Sequence, residues 1–310
     1  MDKQNASMIL QAAGLAPEFV AAGMEGFVFA IGDNRLAKVW LRQTEADVRL
    51  LATFYAQLRG QHLPFATPLM HDVFSTAQGY AVSLEERLAG VPLKSILERD
   101  PNNDGVRQRG MAATVSMVSA LASVEDLPTA HELALMGESS PWKSHTSWGA
   151  VLGALVDRRA RRYRTLLERN VANFASILNN VIAELNALQI PRTGVIHGDI
   201  CPENILVDPD SMKPIGLLDF GFLTTAGDPC FDAVLATLFF DMYSPHAREA
   251  RQELLDMLAQ TSNPGPRINQ LYPLYAAAYA LAGSNAYSDN DQDGHFQWCV
   301  NLLNNRDSQP

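Results

Sequence analysis

The sequence predicts an α+β protein of two lobes: a small N-terminal lobe built on an antiparallel β-sheet and a larger, mainly helical C-terminal lobe. Short apolar segments joined by glycine-containing turns occupy residues 1–86. Apolar residues at helical spacing dominate residues 87–310. A chain of 310 residues is long enough for two separate hydrophobic cores. We therefore predict a domain boundary after residue 86.

Composition narrows the class of protein. A hydrophobic content of 47% and a charged content of 19% are typical of globular domains, and no apolar run approaches the roughly 18 residues that a membrane span requires. The formal net charge of −10 argues against a nucleic-acid partner, because phosphates require a basic surface. Three cysteines without metal-ligand spacing favour reduced thiols and a cytoplasmic location. The oligomeric state stays open.

The N-terminal lobe is predicted to begin with a helix over residues 7–15, followed by strands at 19–22, 27–31 and 36–41. The first two strands are joined by Gly23-Met24-Glu25-Gly26. Two glycines would let backbone N–H groups approach a phosphate closely, although such a pair is equally typical of a plain turn.

Two further strands and a series of helices follow. The strands are predicted at 70–74 and 80–84, and a segment of changed composition then joins the lobes. Segments rich in Pro, Gly, Asn and Asp separate the helices. We predict a helix beginning near residue 44 and others at 93–97, 111–123, 149–168, 171–188, 231–242, 248–258, 270–281 and 296–303.

The most informative stretch is residues 195–207, which is apolar, then polar, then apolar again. We interpret it as two short buried strands flanking a tight loop that carries Asp199 and Asn204. A second carboxylate follows in Asp219-Phe220-Gly221, after another apolar segment. A catalytic Asp, an Asn five residues later and a subsequent Asp-Phe-Gly form the phosphoryl-transfer set of protein kinases.

This set opens with His197-Gly198-Asp199 instead of His-Arg-Asp, and a Gly-Asp-Pro-x-x-Asp pattern follows at residues 227–232. With these motifs the chain resembles the aminoglycoside phosphotransferase and choline kinase-like family, which has a protein kinase-like fold. The resemblance covers nearly the whole chain. It implies that Asp199 is the catalytic base and that Asn204 and Asp219 bind Mg²⁺ on the phosphates of ATP or GTP.

The resemblance also assigns residues to nucleotide binding. It implies that Lys38 binds the phosphates, whereas the alternative is an edge-strand lysine that prevents aggregation. A carboxylate on the following helix would orient Lys38; Asp47 is at the family's position, and Glu45 is the alternative. Gly23, Gly26 and Val28 would cover the phosphates.

The segment between the lobes, including Glu85 and Arg87, would bind the adenine or guanine edge through its backbone. Side chains there are not assigned a role, and the sequence does not separate ATP from GTP. His197, Asp228 and Asp232 are interpreted as structural supports, with Asp228 capping the next helix.

Other polar and aromatic patterns receive structural interpretations. The basic run from Arg158 to Arg164 is predicted to be a solvated helix face. A calcium loop at residues 289–300 is rejected because its twelfth position is Val300. The same loop could form an acidic rim near the acceptor, but a plain solvated loop fits equally well. The tyrosines at 272, 275 and 279 are interpreted as core residues.

The function predicted from the sequence is Mg²⁺-dependent transfer of the γ-phosphoryl group of ATP or GTP to a hydroxyl of a small molecule. An antibiotic acceptor, of aminoglycoside or nucleoside type, is favoured because the motifs resemble that branch of the family. A metabolite kinase for choline, homoserine or a sugar is one alternative. A catalytically weak, pseudokinase-like nucleotide-binding module is the other.

Overall fold

Five N-terminal strands form one antiparallel sheet in the order β1-β2-β3-β5-β4. A computed structural model of the protein describes residues 1–305, so the last five residues of the predicted C-terminal lobe lie outside the described residues. The strands are β1 Glu18–Ala22, β2 Gly26–Ala30, β3 Arg35–Trp40, β4 Met70–Ser75 and β5 Ala81–Glu86, each within two residues of its prediction.

Each face of this sheet is covered by a helix. Helix α1 (Lys3–Ala12) buries Ala6 and Leu10 against Phe29, Val39 and Val82 on the outer face. Helix α2 (Glu45–Arg59) begins after Thr44, as predicted, and lies on the side that faces the larger lobe. Its buried stripe recurs at helical spacing and joins the main core of the protein. The stripe consists of Val48, Leu51, Phe54, Tyr55 and Leu58.

The C-terminal lobe is mainly helical, which confirms the predicted fold class. Its central helix, residues 267–283, contacts the helices around it. The helices are α3 Leu93–Leu97, α4 Asp104–Leu121, α5 Trp148–Arg162, α6 Arg164–Asn170, α7 Phe174–Ala187, α8 Pro229–Phe239, α9 Ala247–Ala259, α10 Arg267–Gly283 and α11 Gly294–Asn304.

Short strands in this lobe hold the loop predicted to be catalytic. Strand β7 (Gly194–Ile196) pairs with β10 (Thr225–Gly227), and β8 (Ile205–Val207) lies between β6 (Val91–Pro92) and β9 (Pro214–Leu217). The loop between β7 and β8 therefore begins on one small sheet and ends on another. Both sheets are antiparallel, and β7, β8 and β10 are fully buried.

Three predictions about helices need correction. Helix α4 begins seven residues earlier than predicted because the side chain of Asn103 accepts a hydrogen bond from Val106 N–H and caps it. The predicted helix at 149–168 is divided at Tyr163 into α5 and α6. The basic run is not wholly solvated, because Arg159 is buried and donates to the carbonyls of Ala282 and Asn285.

Among residues 1–305, no helix has both the length and the apolar character that crossing a membrane would require.

Candidate active site

The loop between β7 and β8 brings Asp199 and Asn204 together. The Asn204 Nδ2 group donates to the Asp199 Oδ2 atom at 3.0 Å and to the Asp199 carbonyl at 2.9 Å. Asn204 is buried, and Asp199 is partly buried. Burial is the main cause that raises the pKa of Asp199 to about 6, although the Asn204 hydrogen bond opposes this shift. At neutral pH the carboxylate is therefore ionised and able to accept a proton.

The backbone at position 198 requires glycine, which accounts for His-Gly-Asp in place of His-Arg-Asp. Its φ of +83° lies in the left-handed region. A Cβ atom at this position would come within 2.2 Å of the Leu223 side chain. A side chain as large as arginine at this position would need both a strained backbone and displacement of the segment around Leu223.

His197 is a structural residue, as predicted. Its buried ring contacts the Leu218 carbonyl through Nε2 at 2.7 Å, and its Nδ1 accepts from Asp199 N–H at 3.1 Å. These two partners fix the tautomer, with the proton on Nε2. Burial lowers the pKa of His197 to about 4, so the ring is neutral at physiological pH. The ring thus joins the loop between β7 and β8 to Leu218, the residue that precedes Asp219.

Asp232 holds the loop between β7 and β8 through its backbone. Its two carboxylate oxygens accept from the N–H groups of His197 and Gly198, each at 2.7 Å. The residue lies in α8 and is buried. Burial raises the pKa of Asp232 to about 7, against the lowering effect of the two amides. Two backbone donors that face away from solvent are therefore satisfied by one side chain.

Asp228 caps α8, as its position predicts, and also joins two helices. Its Oδ1 atom accepts from Cys230 N–H at 3.1 Å and from Arg267 at 2.8 Å. Its Oδ2 atom accepts from the Tyr275 hydroxyl at 2.6 Å. The carboxylate is buried. These contacts fix the start of α8, and with it the position of Asp232.

Asp219 lies in a left-handed conformation with φ of +57°, which aspartate tolerates better than most residues. The next residue, Phe220, is buried between His197 and α2, with its ring centroid 4.3 Å from His197 and 5.8 Å from Phe54. The Tyr55 hydroxyl donates to the Phe220 carbonyl at 3.1 Å. The segment that carries Asp219 is thus attached both to the catalytic loop and to the small lobe.

Lys38 is paired with Glu25, a residue to which the sequence patterns gave no role. Its Nζ atom lies 2.9 Å from the Glu25 Oε2 atom and 3.7 Å from the centroid of the Trp40 ring. Burial lowers the pKa of Lys38, but the charges of Glu25, Asp219 and Glu85 outweigh it and the net shift is upward. Lys38 and Asp219 therefore lie within electrostatic range of each other, as a phosphate-binding lysine and a metal ligand require.

The predicted pairing of Asp47 with Lys38 is wrong. Asp47 instead completes a capping box with Thr44, accepting from its N–H at 2.9 Å and from its hydroxyl at 2.7 Å. The alternative, Glu45, pairs with Arg49 at 2.7 Å and accepts from the Ser75 hydroxyl at 2.6 Å. Both carboxylates of the first helical turn thus serve α2 and the neighbouring strand.

The loop predicted to cover the phosphates is a tight connection between β1 and β2. Gly23 N–H donates to the Gly26 carbonyl at 2.9 Å, and Val28 lies opposite Lys38 in the sheet. A Cβ atom on Gly26 would come within 2.2 Å of the Val39 carbonyl oxygen. The sheet alone is a sufficient reason for glycine at 26, so phosphate binding by Gly23, Gly26 and Val28 stays a prediction.

The segment between the lobes is partly engaged within the small lobe. Arg87 N–H donates to the Asn34 carbonyl at 3.0 Å, so a base edge bound here would use other backbone groups. The Glu85 carboxylate accepts from the Ser83 hydroxyl at 2.5 Å, and burial raises the pKa of Glu85. Glu85 faces the Lys38 side of the sheet, since their charges interact. The assignment of Glu85 and Arg87 to nucleotide binding stays a prediction.

The oxygen atoms near the loop fit Mg²⁺ in type. Among residues 1–305, no group of three or more His, Cys, Asp and Glu side chains is arranged to hold a metal ion on its own. Asn204 offers an amide oxygen whose partner nitrogen is already engaged by Asp199, and Asp219 offers an exposed carboxylate. Mg²⁺ is typically bound by one or two such oxygens together with substrate phosphates and water.

A cleft of about 680 Å³ adjoins this region. It extends from Glu25 and Gly221 to Tyr287 in the loop between α10 and α11. Its volume lies within the range of small-molecule sites. Its wall carries charges of both signs, with arginine or lysine at 42, 143, 159 and 162 and carboxylates at 25, 47, 132, 138 and 289.

The acidic loop considered as an acceptor rim is largely engaged by protein partners. Asp289 lines the cleft and accepts from the Tyr163 hydroxyl at 2.7 Å. Asp291 pairs with Arg169, and Asp293 caps α11 through His295 N–H at 2.8 Å. The tyrosines at 272, 275 and 279 are buried, which confirms their interpretation as core residues.

Two tyrosines of the C-terminal lobe are exposed. Tyr287 is 57% exposed and Tyr243 is 66% exposed. Burial raises the pKa of Tyr287, and the charge of Asp199 contributes to the same shift. Exposed aromatic faces are typical surfaces for stacking of a sugar or base ring.

Comparison with known proteins points to one family. Residues 18–267 match the sequence model described as "Phosphotransferase enzyme family". An aminoglycoside 3'-phosphotransferase of Streptomyces fradiae is 23% identical over 187 residues, which cover 51% of this chain and 68% of that protein. One from Streptomyces ribosidificus is 29% identical over 86 residues, covering 22% of this chain and 33% of that protein. The chain thus spans about a third of one relative and two thirds of the other.

Solved structures agree on the fold. A thermostable mutant of aminoglycoside phosphotransferase APH(4)-Ia is 15% identical, with a TM-score of 0.66 over 98% of this chain and 97% of that one. The aminoglycoside phosphotransferase APH(3'')-Id from Streptomyces rimosus, in complex with ADP and streptomycin, is 17% identical, with a TM-score of 0.54 over 98% and 99%. The sequence match over residues 18–267 and the shared kinase-like fold show that this chain belongs to the phosphotransferase enzyme family.

Proposed function

We propose that this protein transfers the γ-phosphoryl group of a nucleoside triphosphate to a hydroxyl of a small molecule. One observation carries the proposal above the others. Asp199 and Asn204 are hydrogen-bonded to each other on one buried loop, and His197 joins that loop to the segment that carries Asp219. Family membership supports the same activity.

In this proposal each residue has a defined role. The Asp199 carboxylate accepts the proton of the attacking hydroxyl, or orients that hydroxyl, as its oxygen approaches the γ-phosphorus. Asn204 and Asp219 would hold Mg²⁺, which would neutralise charge on the phosphates when bound. Lys38 binds phosphate oxygens from the N-terminal sheet. His197, Asp228 and Asp232 keep the loop in position without contacting substrate.

The nucleotide is ATP or GTP, bound between the sheet and the segment that includes Glu85 and Arg87. Solved structures of the same fold include two with ADP and one with GDP, so both nucleotides stay in the proposal. The preference between the two bases depends on backbone groups of this segment.

The acceptor is proposed to occupy the 680 Å³ cleft, where Gly221 and Phe222 approach Tyr287. An antibiotic is the leading acceptor, since the relatives are named for aminoglycosides and solved neighbours contain streptomycin or hygromycin B. We also propose that the protein acts in the cytoplasm, where nucleoside triphosphates are available and its three free cysteines are stable.

A metabolite kinase is the second candidate, and the charges of the cleft favour it. Glu138 pairs with Arg158 at 3.3 Å, and Asp289 is bonded to Tyr163, so neither carboxylate is available without rearrangement. Arg42 and Lys143 add positive charge to the same wall. A polycationic acceptor would meet more repulsion here than in a purely acidic cleft.

The test is a panel experiment on the purified full-length chain. The protein is incubated with Mg-ATP or Mg-GTP and with aminoglycosides, nucleoside antibiotics, choline, homoserine and sugars, and each mixture is analysed by mass spectrometry. We expect one acceptor class to gain a single phosphoryl group. Reactions without magnesium and with Asp219→Asn serve as controls. Nucleotide binding without transfer to any acceptor would favour the pseudokinase-like alternative.

A further inference from the structure

The carboxylate nearest to Lys38 comes from the loop that joins β1 and β2. Glu25 Oε2 lies 2.9 Å from Lys38 Nζ, and the two side chains are only 24% and 13% exposed. The Trp40 ring lies 3.7 Å from the same Nζ atom. The ammonium group is thus fixed in direction by one anion and one aromatic face.

The helix cannot supply this carboxylate in the described arrangement. Asp47 accepts two hydrogen bonds from Thr44, and Glu45 is shared between Arg49 and Ser75. Asp47 would have to give up a capping box to reach Lys38.

We propose that Glu25 is the positioning residue that orients Lys38 toward the nucleotide phosphates, in place of a carboxylate from helix α2. This inference rests on the proposed phosphotransferase function. Glu25 acts through Lys38 and does not itself contact the reacting atoms.

The local backbone explains how a loop residue can hold a fixed position. Leu41 N–H donates to the Glu25 carbonyl at 2.8 Å, which attaches the loop to the end of β3. Gly26 has no Cβ and so approaches the Val39 carbonyl closely enough for strand pairing to continue to the loop. Lys38 is on that same strand, so donor and acceptor share one rigid element.

Glu25 also lies close to Gly221, which follows the metal-binding candidate Asp219 by two residues. Its Oε1 atom is 3.1 Å from the place where a Cβ on Gly221 would be. Gln43 Nε2 donates to this oxygen at 3.4 Å. The Glu25 carboxylate therefore lies between Lys38 of the small lobe and Gly221 of the Asp219-Phe220-Gly221 segment.

A different role for Glu25 predicts the opposite sign. If its carboxylate occupied the place of a phosphate and had to leave on binding, removal of its charge would tighten nucleotide binding. If Glu25 orients Lys38, removal of its charge weakens binding and slows transfer. The direction of the change in affinity therefore separates the two roles.

The experiment measures the Kd of Mg-ATP by calorimetry, without any acceptor, for the wild type, Glu25→Gln, Glu25→Asp, Lys38→Met and the double variant Glu25→Gln/Lys38→Met. We expect Glu25→Gln to weaken binding about ten- to a hundredfold, as for loss of one charged hydrogen bond. Glu25→Asp should recover part of the loss, because the charge remains. The double variant should bind no more weakly than Lys38→Met alone, since the two residues act as a unit.

Asp47→Asn is the matched control, because it removes the charge of the other candidate. We expect its nucleotide affinity to stay within twofold of the wild type. Unchanged or tighter binding in Glu25→Gln, or a larger loss in Asp47→Asn, would overturn the inference while leaving the proposed function intact. A wild type that binds neither Mg-ATP nor Mg-GTP would overturn both.

Discussion

The loop between β7 and β8 (the loop wall) and the N-terminal sheet (the sheet wall) hold their functional groups in different ways, and neither Asp199 nor Lys38 lines the 680 Å³ cleft. On the loop wall, Asp199 is positioned by the buried side chains of Asn204 and His197. The Asp232 carboxylate also holds this loop, because it accepts from the backbone N–H of His197. On the sheet wall, Lys38 is held by the face of the Trp40 ring and by one ion pair with Glu25. Glu25 lies in a loop whose neighbouring residue Met24 is 45% exposed. The proposed proton acceptor thus belongs to the more constrained wall.

This difference has a physical reason. A general base must lie within hydrogen-bond reach of the attacking hydroxyl, and small displacements there are costly in rate. A lysine that binds phosphates acts over a longer distance and must admit a nucleotide. We therefore expect changes on the loop wall to alter kcat or folding, and changes on the sheet wall to alter nucleotide affinity.

The largest expected effect is that of Asp199→Asn. It removes the proton acceptor but keeps an oxygen for the hydrogen bond from Asn204. We expect kcat to fall by about 10²- to 10⁴-fold, the usual contribution of a general base, with the Kd of Mg-ATP unchanged. Steady-state kinetics with the identified acceptor and calorimetry measure the two quantities. A fall in kcat of less than tenfold would remove Asp199 from the role of base.

The second expected effect is a loss of stability when a side chain is added at Gly198, in the loop between β7 and β8. Gly198→Ala meets both a positive φ and the Leu223 side chain at 2.2 Å, whereas Gly79→Ala meets a positive φ of +84° with no atom within 4 Å. We expect losses in the free energy of unfolding of about 2–5 kcal/mol for the first variant and about 1–2 kcal/mol for the second. Urea unfolding measures both. Equal losses would show that the Leu223 contact is unimportant.

The third effect is on pH dependence. The pKa of Asp199 is raised to about 6, chiefly by burial, and only its ionised form accepts a proton. We therefore expect kcat/KM to fall about tenfold per pH unit below about 6 and to level off above it. His197 stays neutral across this range, because its pKa is lowered to about 4. A midpoint near 4 in the rate profile, or the same acidic limb in Asp199→Asn, would contradict the assignment.

Local patterns account for what the sequence predicted well. The N-terminal strands, the cap at Thr44 and the order of Asp199, Asn204 and Asp219 all depend on residues close together in the chain. The structure brings those three residues to one region for two reasons. Strands β8 and β9, which separate Asn204 from Asp219 in the chain, pair with each other, and Phe220 packs against His197.

Long-range contacts account for what it missed. The partner of Lys38 depends on the path of a loop across two strands, and no pattern marks Glu25 as different from other loop carboxylates. Arg159 is buried by carbonyls more than 120 residues away, at Ala282 and Asn285. The role of Asp47 was available from the sequence, since Thr44-Glu45-Ala46-Asp47 resembles a capping box with aspartate in place of glutamate.

The smallest expected effect is that of removing the cap of helix α2. Thr44→Ala removes the hydroxyl that accepts from Asp47 N–H at 3.2 Å and donates to its carboxylate at 2.7 Å. We expect a loss of about 1 kcal/mol in the free energy of unfolding, with nucleotide affinity unchanged. Urea unfolding and calorimetry test this. If Thr44→Ala changed nucleotide affinity, the helix cap would be coupled to the nucleotide site, and the sheet wall would then depend on the helix as well as on the loop.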